Sequence, residues 1–319
     1  MNAAVRAVVR KAIHEGVEIY GVKRGYAGLI EGDLIKLDRG SVSDIISRGG
    51  TFLRSARCEE FRTKEGRKKA AEQLKKRGIK GLVVIGGDGS FMGAKLLSKE
   101  TEINTIGVPG TIDNDIACTD DSIGYDTAVN TIVDAIGKIR DTASSHERAF
   151  VIEAMGRRSG FLTLASGLAG GAESILIPEI KCDIDEVCQK VQEDYELGKI
   201  HSIIVVAEGV EAIGAEFETN RDHDESNAFI LGKEINKRTG FETRVSILGH
   251  MQRGGSPTAR DRLLASRLGA GAVDHLLAGD TNKMVGLIHD TVETASIAEA
   301  IESDKKINMD IYELANILN

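Results

Sequence analysis

A series of short, nearly continuous apolar runs, at residues 82–85, 103–108, 150–152, 174–177, 203–207, 245–248 and 284–288, constrains this chain more than any other feature. A strand buried on one face alternates apolar and polar residues, whereas an unbroken apolar run implies cover on both faces, as in a parallel sheet between helices. Amphipathic stretches separate most of the runs, clearly at 65–77, 127–140, 184–197 and 257–277, the last with Pro257 favourably placed at its start. The pattern predicts an α/β chain of doubly wound, mostly parallel sheets. At 319 residues there is material for about two domains.

In such sheets the chemistry collects at the carboxyl ends of the strands. Two turns stand there. The segment 109–115, Pro-Gly-Thr-Ile-Asp-Asn-Asp, follows the run 103–108 and carries two carboxylates. The segment 86–90, Gly-Gly-Asp-Gly-Ser, follows the run 82–85 and leads into a helical stretch expected to begin near Phe91, as a phosphate-cradling loop does. Taken singly, both are also ordinary compositions for surface turns. Together they are complementary: glycine amides with Asp88 suit a nucleotide phosphate and its metal, while Asp113 and Asp115 supply a proton acceptor and a further metal-side charge.

Composition excludes several classes. A net charge of -8 and a pI near 5.5 argue against a general nucleic-acid binder. The absence of Trp and the 4% aromatic content leave few platforms for stacking bases. No apolar run approaches membrane-spanning length and no charged-then-apolar leader is evident, so the expectation is a cytoplasmic protein without membrane or nucleic-acid partners. Cys58, Cys118, Cys182 and Cys188 lack paired metal-ligand spacing and are expected to be reduced thiols.

The two turns, with 153–157 (Glu-Ala-Met-Gly-Arg) and 248–257 (Leu-Gly-His-Met-Gln-Arg-Gly-Gly-Ser-Pro), resemble in order and spacing the bacterial ATP-dependent 6-phosphofructokinases, from Met1 to about Asn319. The resemblance implies two doubly wound domains with the active site in the cleft between them: a nucleotide domain of 1–123 and 245–289, a sugar-phosphate domain of 124–244, and C-terminal helices at 290–319. It implies phosphoryl transfer from ATP, with Mg2+, to the 1-hydroxyl of fructose 6-phosphate, the committed step of glycolysis, under allosteric control. Such transfer needs positioning and charge neutralisation more than covalent chemistry. By resemblance Asp113 is the base, assisted by Thr111, and Arg57 and Arg157 act on the transferring phosphoryl group. Tyr26, Arg57, Cys58, Arg62, Gly87, Asp88, Gly89 and Ser90 would contact ATP, and Asp88 and Asp115 would serve the metal.

For the sugar phosphate the implied set is Thr111, Ile112, Asp113, Met155, Gly156, Arg157, Glu208, His250 and Arg253, joined by Arg148 and Arg244 from a neighbouring subunit of a homotetramer. Guanidinium pairs suit a phosphate dianion. Pyrophosphate-using relatives usually carry aspartate where Gly89 stands and lysine where Gly110 stands, so ATP is the expected donor; a pyrophosphate-dependent enzyme is the alternative. Arg6 and Arg10, four apart on an expected helix from Ala3 to Glu15, form a like-charged pair that an anion would relieve. With Arg140, Glu173 and Lys199 they match a family effector site between subunits for ADP or phosphoenolpyruvate, in which Leu197 replaces a lysine. Relatives have a strand and a glycine-rich loop ahead of the position of Met1; an in-frame segment of this kind upstream is expected, and a catalytically weakened regulatory subunit is the alternative if its absence is genuine. An acidic stretch, 209–238, is longer here than in most relatives.

Overall fold

The computed structural model describes residues 1–146, 148–213 and 226–318. The chain forms two compact units: Met1–Asp126 with Gly254–Lys305, and Thr127–Arg253 with Lys306–Asn319. Residues 214–225 of the acidic stretch expected at 209–238, including Glu216, Glu218, Asp222, Asp224 and Glu225, lie outside the described residues.

The first unit holds a four-stranded sheet in the order Thr291–Ser296, Lys283–Ile288, Asn104–Pro109, Gly81–Gly86. The last three are parallel, and Thr291–Ser296 is antiparallel to its neighbour. Helix Ala259–Leu277 and the opening helix Asn2–His14 cover one side through Ala3, Ala4, Leu264 and Leu268, while helix Asp88–Glu100 covers the other through Phe91 and Ala94. Pro257 stands just outside its helix, because Thr258 is the cap and its side chain accepts from the Asp261 amide. A hairpin-like pair, Ile19–Val22 with Leu34–Leu37, joins the unit through Leu29, Phe61 and Leu74. Among the described residues Gly81–Gly86 is the outer strand of the sheet, and beside it runs an apolar groove of about 630 Å³ lined by Val5, Val9, Ile19, Leu37, Val83 and Ile85.

One buried ion pair fixes the helix that follows the glycine-rich turn. Arg67, 5% exposed, meets Glu100 at the end of helix Asp88–Glu100 in a bidentate fork, Nε to Oε2 at 2.8 Å and Nη2 to Oε1 at 2.7 Å. Its Nη1 donates to the Phe61 and Arg62 carbonyls at 3.0 and 2.7 Å. The guanidinium therefore ties this helix to the loop that carries Cys58 and Arg62.

The second unit is built on a fully parallel sheet in the order Thr243–Ile247, Ala149–Ala154, Ser202–Ala207, Ser174–Leu176. Every residue of the two central strands is buried, which is why they read as unbroken apolar runs. Helices Ile184–Glu196 and Asn227–Thr239 close one face through Val187, Val191, Leu231 and Ile235.

The expected boundary at 123 moves to Asp126, and the other two shift further. Residues 245–253 go with the second unit, because Thr243–Ile247 pairs with Ala149–Ala154. Residues 290–305 stay with the first, because Thr291–Ser296 pairs with Lys283–Ile288, and only the stretch from Lys306, with helix Met309–Leu318, joins the second.

Candidate active site

The two turns of the first unit begin side by side because their strands pair in register. Gly86 is opposite Pro109, and the Gly110 amide donates to the Gly86 carbonyl at 2.9 Å. A Cβ on Gly87 would lie 3.6 Å from the Thr111 Cβ, so the two backbones run alongside each other. Helix Asp88–Glu100 starts three residues earlier than expected, with Gly87 as its cap. Asp88, Gly89 and Ser90 thus form its first turn, where amide donors and the dipole favour an anion. Gly86 admits nothing larger: a Cβ there would sit 2.5 Å from Ser90 Oγ. At Gly89 a Cβ would meet no protein atom within 4 Å. A Cβ at Gly89 is therefore not excluded by neighbouring elements of the chain.

The second turn is organised around Asn114, which adopts left-handed backbone (φ 53°) and is 4% exposed. The Ser122 amide donates to its Oδ1 at 2.9 Å, and Ser122 Oγ donates to the Thr111 carbonyl at 2.7 Å. The Asp113 amide donates to Thr111 Oγ1 at 3.2 Å, and that hydroxyl lies 3.4 Å from the Asp113 carboxylate. Asp113 and Asp115 therefore flank a pinned residue on a rigid turn. Among the described residues no group of three His, Cys, Asp or Glu side chains forms a metal cage. Mg2+ carried on a nucleotide needs only one or two protein carboxylates besides the phosphates, so Asp88 and Asp115 fit it.

The remaining nucleotide residues have unequal placements. Tyr26 donates its hydroxyl to the Ser90 carbonyl at 2.6 Å and stacks on Phe61 at 3.8 Å. Burial pushes its phenol well above the ordinary value, so it acts as a neutral prop under the glycine-rich turn. Cys58 packs against the Leu29 and Phe61 cluster. Arg57 is exposed, and Arg62 turns back to Glu59 at 3.3 Å. All four cysteines are free thiols, with burial pushing Cys182 up to about 11 and raising Cys118 and Cys188.

In the second unit one sheet end gathers most of the expected sugar-phosphate residues. Ala154 pairs with Ala207 and Ile247 with Glu153, so the turns carrying Met155 to Arg157, Glu208, and His250 to Arg253 leave the same end. Gly156 has φ +143°, and a Cβ there would lie 2.5 Å from the Ser159 carbonyl oxygen. Gln252, 1% exposed, links two of these turns: its Oε1 accepts from the Met155 amide at 3.0 Å and its Nε2 donates to the Gly249 carbonyl at 3.1 Å. Arg157, Glu208, His250 and Arg253 are exposed.

Arg148 and Arg244 are not brought to that end. They lie at the start of their strands, with Thr243 opposite Ala149, and both pair with Glu242, Arg148 at 2.9 Å. Arg148, and then Arg244, hold the Glu242 carboxyl below the usual range. The strand from Ala149 to Ala154 separates the two ends by about 16 Å, so these arginines cannot reach the same phosphate as His250 within one chain.

The expected effector residues also divide. Arg140 Nη1 donates to Glu173 at 3.1 Å and lies 3.3 Å from His201 Nε2, while Nη2 donates to the Gly170 carbonyl at 3.1 Å and to that of Gly171. Glu173 Oε2 accepts from the Ile203 amide at 2.7 Å, and Lys199 pairs with Asp194 at 2.8 Å. Burial lowers Lys190, which feels Asp194, Lys199 and Glu173. Arg6 and Arg10 stand on the opening helix of the first unit, and Leu197 is 82% exposed. His201, Lys190, Asp194, Ser122 and Lys305 are site neighbours that sequence reasoning missed, since none sits in a recognisable motif, and Gln252, inside the 248–257 motif, was not singled out there.

A model of the phosphofructokinase family, PFK, matches residues 1–276. The ATP-dependent 6-phosphofructokinase of Halothermothrix orenii is 64% identical over the whole chain, which spans 95% of that relative's length. ATP-dependent 6-phosphofructokinase 1 of Clostridium perfringens is 55% identical with the same coverage. Among solved structures, phosphofructokinase from Saccharomyces cerevisiae superposes with a TM-score of 0.86 at 36% identity over 95% of this chain, which spans 43% of the yeast chain. A pyrophosphate-dependent phosphofructokinase from Marinobacter aquaeolei gives 0.84 at 22% identity over 97% of this chain and 82% of its own, a likeness of fold alone. The chain belongs to the phosphofructokinase family.

Proposed function

We infer that this chain transfers the terminal phosphoryl group of ATP to the 1-hydroxyl of fructose 6-phosphate, giving fructose 1,6-bisphosphate and ADP. The observation that carries the reading is the register of Gly86 with Pro109, which sets an anion-binding helix start beside a rigid turn bearing Asp113. The first-turn donors at Gly87 to Ser90 take the nucleotide phosphates, and Asp88 and Asp115 hold the metal. Mg2+, when bound there, would supply neutralisation of the phosphate charge. Asp113 accepts the proton of the 1-hydroxyl as that oxygen bonds to the γ-phosphorus and the bond to ADP breaks. Arg57 and Arg157, exposed and unencumbered by burial, supply cationic stabilisation of the transferring group.

The sugar phosphate falls to Met155, Gly156, Arg157, Glu208, His250 and Arg253, with Thr111 and Ile112 at the reacting end. Arg148 and Arg244, displaced to the other sheet end, serve the 6-phosphate of a neighbouring subunit in a homotetramer. Arg140, Glu173 and Lys199 of one subunit, with Arg6 and Arg10 of a neighbour, form an effector site between subunits for ADP or phosphoenolpyruvate. The protein acts in the cytoplasm; among the described residues no helix is long and apolar enough to cross a membrane.

ATP is favoured over pyrophosphate as donor by Gly89 and Gly110, and a Cβ at Gly110 would already lie 3.2 Å from Ile85 Cγ2. A coupled assay with fructose 6-phosphate and either donor tests the reading: turnover with ATP and little with pyrophosphate supports it, and the reverse refutes it.

A further inference from the structure

The turn that carries Asp113 is held from a place far along the chain. Lys305 Nζ donates to Asn114 Oδ1 at 3.1 Å and to the Asp120 carbonyl at 2.8 Å. Asn114 Nδ2 donates to the same Asp120 carbonyl at 3.3 Å, so the ammonium, the amide and that carbonyl close a ring. Asn114 Oδ1 also receives the Ser122 amide at 2.9 Å, and the Ser122 hydroxyl, which donates to the Thr111 carbonyl, lies 3.3 Å from it. Its amide orientation is thereby fixed from two sides.

We propose that Lys305 is a positioning residue for phosphoryl transfer, acting through Asn114 to hold the 113–115 backbone so that the Asp113 carboxylate is aimed at the sugar hydroxyl. The inference rests on the reading of Asp113 as base. Asn114 occupies left-handed backbone, which asparagine adopts more readily than other non-glycine residues, and the contacts to its side chain hold it there. Ser122 and Lys305 are the enforcing contacts, and Lys305 is the long-range one, 191 residues away in sequence. Burial pulls its ammonium down to about 8 against the opposing fields of Asp121, Asp120 and Asp115, which marks a half-buried cation kept among carboxylates.

The test compares Lys305→Met, Lys305→Arg, Asn114→Gly and Asn114→Gly with Lys305→Met, all in the full chain, by steady-state kinetics and thermal unfolding. Glycine keeps the left-handed conformation while removing the amide. The expected result is a fall in kcat of about 10-fold to 10²-fold for Lys305→Met, the range for a small misplacement of a catalytic group. Its KM values for ATP and fructose 6-phosphate should stay within about threefold, and Lys305→Arg should recover most of the loss. The double variant should be no slower than the slower single one, because both remove one linkage. Unchanged kcat in Lys305→Met, a loss confined to KM, or fully additive losses would each overturn the proposal. Asp113→Asn is the control: near-normal turnover in it breaks the reading of the base, whereas an inactive Asp113→Asn beside a normal Lys305→Met breaks only the role of Lys305.

Discussion

Replacing Arg67 by methionine removes a guanidinium that is 5% exposed, while keeping much of its stem volume. The variant leaves Glu100, whose side chain is 22% exposed, without its bidentate partner, and strands the carbonyls of Phe61 and Arg62. Breaking one side of a buried pair costs about 3 to 5 kcal/mol, and the partial exposure of Glu100 places this case near the lower end, about 3 kcal/mol. The sign of the pH dependence follows from Arg67, which holds the Glu100 carboxyl below its ordinary value of 4.5. A depressed carboxyl contributes stability that is complete above the unfolded value and lost as pH falls through the folded one. Denaturant unfolding of wild type and Arg67→Met should therefore differ by about 3 kcal/mol at pH 7, a gap that narrows as pH falls below 4.5 toward the folded value and leaves only the share due to the two carbonyls. Because the same guanidinium ties the phosphate helix to the loop bearing Cys58 and Arg62, KM for ATP should rise more than KM for fructose 6-phosphate. A difference under about 1 kcal/mol at pH 7, or one that widens on acidification, refutes the reasoning.

Gly89→Asp should fold with unchanged melting temperature, since its Cβ meets no protein atom within 4 Å, yet lose at least about 10-fold in kcat/KM for ATP; intact ATP use would show that Gly89 does not set donor choice. Mixed oligomers of Arg244→Ala with Asp113→Asn chains should regain activity absent from either parent if the arginine serves a neighbour's site, and mixed oligomers no better than the parents would exclude sharing. An extended apolar segment fused ahead of Met1 should pair with strand Gly81–Gly86, fill the adjoining groove and remove the Met1 ammonium, whose value burial lowers, so the melting temperature should rise; an unchanged melting temperature counts against that use of the groove.

The central strands were legible because parallel strands covered on both faces have no polar side to show, as in Ser202–Ala207, buried throughout. Thr291–Ser296 was hidden by its edge position, where Thr291, Glu293 and Ser296 face outward and dilute the apolar signal. The start of helix Asp88–Glu100 was placed late because Gly89 and Ser90 are weak helix formers, and the dipole end is set by the strand before it. The two acidic turns were readable as local motifs, and the resemblance supplied roles for residues such as Arg148 that composition would have left as surface charge. Long-range contacts were not readable. Nothing around Lys305 announces a bond to Asn114, and nothing in the 249–253 turn announces that Gln252 receives the Met155 amide. Such contacts depend on topology, which brings distant segments together without leaving a periodic trace.

The most direct test of the account is the turnover number of purified Asp113→Asn with ATP, Mg2+ and fructose 6-phosphate, measured beside wild type. The account predicts a loss of about 10²-fold to 10⁴-fold in kcat with fructose 6-phosphate binding largely intact. A near-normal turnover number would contradict it.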